Sequence, residues 1–110
     1  MSECLDLIEG YEELRLRAYE ELHADAVRRF RELADSVPAI KDVVEGYLSR
    51  FNDVVDVRVR NKILIELILQ LESRYKDFEV VKNTVGVVRK NFLNIISKML
   101  DSLEEILTKC

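Results

Sequence analysis

The chain has 110 residues, 48% hydrophobic and 35% charged, with a net charge of −4 and only three glycines and one proline. This is enough for one domain and no second core, and the abundance of Leu, Ile, Val and Phe excludes intrinsic disorder. The acidic balance argues against a protein that coats nucleic acid electrostatically. Acidity concentrates at the start: residues 1–35 hold ten acids against five bases, residues 36–76 six against seven, and residues 77–110 five of each.

The opening residues, Met1 to Asp6, lack both the basic and the apolar region of a signal peptide. The most apolar run, Ile63 to Leu71, is broken by Glu66 and Gln70 and is too short to span a bilayer. The sequence therefore predicts a cytoplasmic protein without membrane association. Cys4 and Cys110 have no CxxC neighbours and read as two reduced thiols, with a bridge between the termini or between chains as the alternative. Gln70 is the only glutamine, Trp is absent, and Glu, Lys, Arg, Val and Ile are plentiful, a thermophile-like composition.

In chain order, Ser2 is the first cap candidate, followed by an acidic stretch that suits the positive end of a helix. Leu7, Tyr11, Leu14, Ala18, Leu22, Ala26, Phe30 and Leu33 recur at steps of three and four, which predicts one helix over residues 3–35. Arg15 and Arg29 fall within its apolar arc, so their stems are expected along apolar surface with the head groups paired or reaching water. Ser36-Val37-Pro38 is the clearest break, with Ser36 as a cap and Pro38 in a first turn. A second helix is predicted over 37–51 and a third over 53–76, capped at Asp53 if they are separate and otherwise continuous. Val55 to Arg60 alternates strictly, a strand signature, but a lone strand has no ladder partner, and helix is expected there. Asp77 is the cap candidate for a last helix over 78–109. Its apolar residues, from Phe78 and Val81 through Phe92 and Met99 to Cys110, form a near-heptad seam.

A helix of 33 residues is about 50 Å long, far beyond the ~13 Å radius of gyration of a compact globule of this length. The expected fold is thus all-α: an elongated antiparallel bundle of three or four long helices. The apolar arc of the first helix is wider than one neighbour covers, so dimerisation is expected to complete the bundle. Ile65 and Leu69 turn away from the stripe formed by Leu64, Ile68 and Leu71, and they are the expected dimer interface.

Glu20 and His23 have the Glu-x-x-His spacing that supplies di-iron ligands in ferritin-like bundles. Such a site needs two units and this chain has one His, so only a dimer, with Glu66 or Glu72 assisting, would complete a metal centre. The preferred reading is a half-buried His with a local partner, and no cofactor is expected. The doublets Glu12-Glu13 and Glu20-Glu21 hint more weakly at Mg²⁺. Arg58, Arg60 and Lys62 form the most basic stretch, the candidate phosphate contacts of a nucleic-acid-associated subunit. Asp53 and Asp56 dilute it, and no aromatic residue is interleaved. No Gly-x-Ser-x-Gly elbow, phosphate loop or catalytic residue is identified. The sequence points to a non-enzymatic helical interaction module that self-associates and meets a protein partner. A dimeric metal-binding bundle is the second reading and a nucleic-acid-associated subunit the third.

Overall fold

Residues 2–110 are described by a computed structural model, Ser2 by its backbone alone, so the capping expected of Ser2 lies outside the described residues. Four α-helices account for the fold: α1 Ser2–Ser36, α2 Lys41–Asn52, α3 Val57–Arg74 and α4 Glu79–Lys109, with a short 3₁₀ turn, Pro38–Ile40, between α1 and α2. No strand occurs among the described residues.

Each boundary has a local cause. Val37 takes an extended backbone, as the residue before proline must, and its amide still closes the last turn of α1 on the Leu33 carbonyl. Ser36 caps neither the 3₁₀ turn nor α2. It is the last residue of α1, and its hydroxyl donates back to the Glu32 carbonyl, beside the Ser36 amide that already bonds there within the helix. Of the two alternatives at Asn52-Asp53, a break or a continuous helix, the structure has the break, so α2 and α3 are separate. The cap is Asp56 and not Asp53: its carboxylate accepts from the amides of Arg58 and Val59. That cap turns the alternating Val55–Arg60 segment into helix from Val57 onward. Asp77 does not cap either. Phe78 takes the N-cap position of α4 without a side-chain bond, and its ring lies 6.4 Å from that of Tyr75 in a four-residue turn.

The helices run up, down, up and down. α1 and α4 are antiparallel partners along their whole length, joined by an Asp25–Asn91 hydrogen bond of 3.2 Å and by a disulfide between Cys4 and Cys110. The expectation of two reduced thiols is overturned. Once two long helices lie antiparallel, the start of one meets the end of the other, and the two Cα atoms come within 5.9 Å.

The lengths of the helices decide the shape. α2 and α3, of 12 and 18 residues, pack on only one end of the α1–α4 pair, whose helices run to 35 and 31 residues. A four-helix head results, with Phe30, Ile40, Leu64, Leu67 and Leu71 fully buried, and below it a two-helix stalk. Among the described residues of the stalk only Ala18 and Met99 are buried. The molecule measures 56 × 27 × 18 Å with a radius of gyration of 16.5 Å, an elongated bundle. Arg15 pairs with Glu12 at 3.3 Å and Arg29 with Asp25 at 2.8 Å, both stems partly covered.

The disulfide joins ends 106 residues apart in sequence, a loop whose closure removes roughly 4–5 kcal/mol of unfolded-state entropy on the chain-entropy account. Replacing Cys4 and Cys110 together by Ser is expected to lower the unfolding free energy by about 2–4 kcal/mol in urea titrations. Amide exchange should accelerate first in the stalk, where burial is least. Unchanged stability and exchange would show that apolar packing alone holds the stalk.

Candidate functional site

His23 projects from α1 into the head, where it is only 5% exposed. Its ring meets Phe51 of α2 edge-on at 5.4 Å and lies 6.0 Å from Tyr19, one turn earlier on the same helix. Its Nε2 is 2.6 Å from Oδ1 of Asn61 on α3. The amide oxygen only accepts, so Nε2 carries the proton and donates. Burial holds the imidazole pKa below its usual value, opposed by the Asn61 bond and reinforced by the nearby Arg60 charge. The arrangement locks a neutral histidine across three helices, and in the neutral tautomer that leaves only Nδ1 as an acceptor.

Glu20 is exposed on α1, outside the space His23 enters. Glu66 and Glu72, the carboxylates that would assist a metal centre, pair instead with Arg50 at 3.6 Å and with Arg89. No group of three or more His, Cys, Asp or Glu side chains gathers within metal-binding reach among the described residues. Glu12, Glu13, Glu20 and Glu21 are all solvated.

The three bases of the nucleic-acid reading do not share a face. Arg60 is drawn inward: its guanidinium stacks 4.6 Å over the Phe51 ring and its Nε donates to the Val54 carbonyl at 2.7 Å, which ties down the α2–α3 loop. Arg58 and Lys62 remain exposed, one turn apart, on the opposite side of α3. The nearby Arg50 is taken up by Glu66 and the Tyr47 ring.

Ile65 and Leu69 stand 44% and 53% exposed, while Leu64, Ile68 and Leu71 enter the core. A larger open surface lies on the stalk, of which the sequence predicts the α1 side but not the α4 side. Leu93, Ile96, Leu100, Leu103 and Leu107 recur at steps of three and four along α4 and are all exposed. This second seam runs beside the buried one and extends the side of α4 that faces α3 in the head, where Arg89 meets Glu72. Across the groove, Leu5, Ile8 and Leu16 of α1 continue the face that carries His23, Ala26 and Phe30 higher up. In the head α2 and α3 cover this groove; in the stalk the same groove is open. Glu12 and Arg15 lie among its aliphatic residues as a mutual ion pair, and Arg15 Nε is buried with no hydrogen-bond partner.

Protonating His23 would place a charge among Phe51, Tyr19 and Arg60, so the folded state binds that proton less readily than the unfolded chain. The stabilisation belonging to neutral His23 is full above its unfolded pKa, near 6.5, and is lost as pH falls through that value toward the lower folded one. Unfolding free energy is expected to decline between about pH 6.5 and pH 5, before the carboxylates titrate. In a His23→Gln variant that slope should vanish. A slope that persists in the variant would assign it to another group.

No protein-family model, curated protein or solved structure matches this chain.

Proposed function

We propose that this chain is a non-enzymatic helical assembly module that associates with itself and leaves its charged outer helix faces free for a protein partner. The observation supporting this reading is the open groove between α1 and α4. Eight aliphatic side chains line it: Leu5, Ile8, Leu16, Leu93, Ile96, Leu100, Leu103 and Leu107.

Fully burying a residue of this kind is worth roughly 1.5–3 kcal/mol, so covering eight that are about half exposed favours burial by about 6–12 kcal/mol per chain. Two chains contribute together, against an association cost of about 4–15 kcal/mol. At the middle of both ranges the remainder is about 8 kcal/mol, which is what a micromolar dimer requires. An uncovered apolar surface of this extent on a free monomer marks an interaction site or an aggregation hazard. The smaller patch of Ile65 and Leu69 on α3 is a second candidate interface, supported by its exposure beside a fully packed core.

A cytoplasmic setting fits this reading. No helix among the described residues is long and apolar enough to cross a membrane. A disulfide persists inside hyperthermophile cells, in keeping with the thermophile-like composition.

Light scattering is expected to give twice the 12.9 kDa chain mass at micromolar concentration. Leu100→Glu should shift the protein to monomer while leaving its helical circular dichroism intact, because Leu100 is 60% exposed and supports no intrachain core. Leu69→Lys tests the α3 patch in the same way. A monomeric mass for the unmodified protein across the micromolar range would defeat the self-association reading.

A further inference from the structure

We infer that the stalk groove is filled by the stalk of a second copy laid antiparallel to it, so that the heads lie at opposite ends and the Val55 loop of each chain meets the Leu107 end of the other. This inference rests on the self-association reading and adds its geometry.

Width comes first. The α1–α4 face accepts two helices side by side in the head, namely α2 and α3, so its continuation in the stalk calls for a two-helix occupant. A single amphipathic helix would leave half of it wet. The stalk is itself such a hairpin, already antiparallel and closed at its tip by Cys4–Cys110.

Length agrees. α3 begins at Val57, and its Asn61 stands at the level of His23, so α1 is uncovered from Ser2 to about Tyr19. That run is about 27 Å at 1.5 Å per residue. A face this long and two helices wide covers about 540 Å² on each copy, near the lower bound for a specific interface once both sides are counted.

Charge selects the occupant. The acidic residues of α1 would favour a basic partner if they lined the groove, but Glu3, Glu13 and Glu21 project away from it. Within the groove Glu12 is already paired with Arg15, so its floor is apolar with no net charge, while Glu9 and Glu104 stand exposed on its rims, about 20° around their helices from Leu16 and Leu93. Such a face matches another copy of itself better than it matches a basic helix.

Direction is set by sterics. With stalks parallel, both heads fall at one end, and each α2–α3 pair occupies the space the other requires. With stalks antiparallel, each tip runs up to the partner's α2–α3 loop. Val55 in that loop and Leu107 near the tip are 86% and 81% exposed, the two most exposed large aliphatic residues among those described. The antiparallel arrangement covers both with one contact and leaves the stalk seams of α1 and α4 facing their counterparts.

The test keeps the full chain and its native disulfide. A Val55→Cys variant is labelled with benzophenone maleimide, irradiated as an equal mixture of isotopically light and heavy chains, and mapped by mass spectrometry. A covalent dimer is expected, with mixed-isotope links from position 55 to residues 2–9 or 100–110 of the other chain. Adding Leu107→Glu should cut the yield about tenfold, whereas adding Leu69→Lys should leave it unchanged. Interchain links from position 55 to the partner's own residues 50–60 would show heads together and overturn the antiparallel geometry. So would a dimer by light scattering that gives no interchain link into the stalk. In both cases self-association would stand, and only a monomeric mass would remove it as well.

Discussion

The antiparallel pairing of α1 with α4 is the constraint on which the rest of the structure depends. These two helices make the most extensive contact in the fold, and they are the only elements that reach from one end of the molecule to the other. Their pairing brings Cys4 to Cys110, sets Asp25 beside Asn91, and creates a continuous groove along one side. α2 and α3 are a short helical pair inserted between these long helices in sequence and laid into that groove in space. Because the groove outlasts what the chain supplies to fill it, one end of the molecule is a packed four-helix bundle and the other is half of one.

The two ends are held by different physics. In the head, complete burial of Phe30, Leu64, Leu67, Leu71 and Val88 provides the apolar driving force. Polar links are placed where they orient the short helices: His23 to Asn61 joins α1 to α3, Arg60 on Phe51 and Val54 joins α3 to α2 and its loop, and Arg89 to Glu72 joins α4 to α3. The ion pairs on the outer surface, such as Arg28 with Asp25 and Glu32, are solvated and add little to stability. In the stalk apolar burial nearly ends, and a covalent link stands at the tip. Two isolated helices in water have few contacts to offset the backbone entropy of ordering them.

Much of this is legible in the sequence, and the gaps have identifiable causes. Steps of three and four mark α1 and α4 within a few residues of their ends, because long helices average over local irregularity. Ser36, Asp53 and Asp77 are plausible caps by residue type alone. Capping depends on which backbone amides point outward, however, and at the α2–α3 loop that falls to Asp56. The burial of His23 can be read from its place in the apolar arc of α1, but its partner cannot. Asn61 lies 38 residues away, is not titratable, and belongs to no ligand pattern. The basic run Arg58-x-Arg60-x-Lys62 looks like one surface only because residues two apart are neighbours in sequence; on a helix they turn roughly 200° from each other.

The most informative difference concerns where apolar surface is left over. The excess width of the apolar arc on α1 is visible in the sequence, and Ile65 and Leu69 stand out there because they flank the most apolar run. Composition draws attention to them, whereas the larger open face is set by length: α1 and α4 together have 66 helical residues, α2 and α3 only 30. An up-down bundle cannot cover itself when two of its helices together have less than half the residues of the other two. The uncovered remainder must then fall at the end away from the short pair, which is where Leu5, Ile8, Leu100 and Leu107 lie. The same reasoning explains the second seam on α4. A helix that served only one neighbour would need one apolar stripe, but from Leu93 onward α4 carries two, at heptad spacing and offset by roughly 60–80° around the helix. One stripe is satisfied by α1, and the other has no intrachain partner. A helix with two such faces is built like one inside a four-helix layer, and this chain supplies two of the four helices that its stalk is patterned to join.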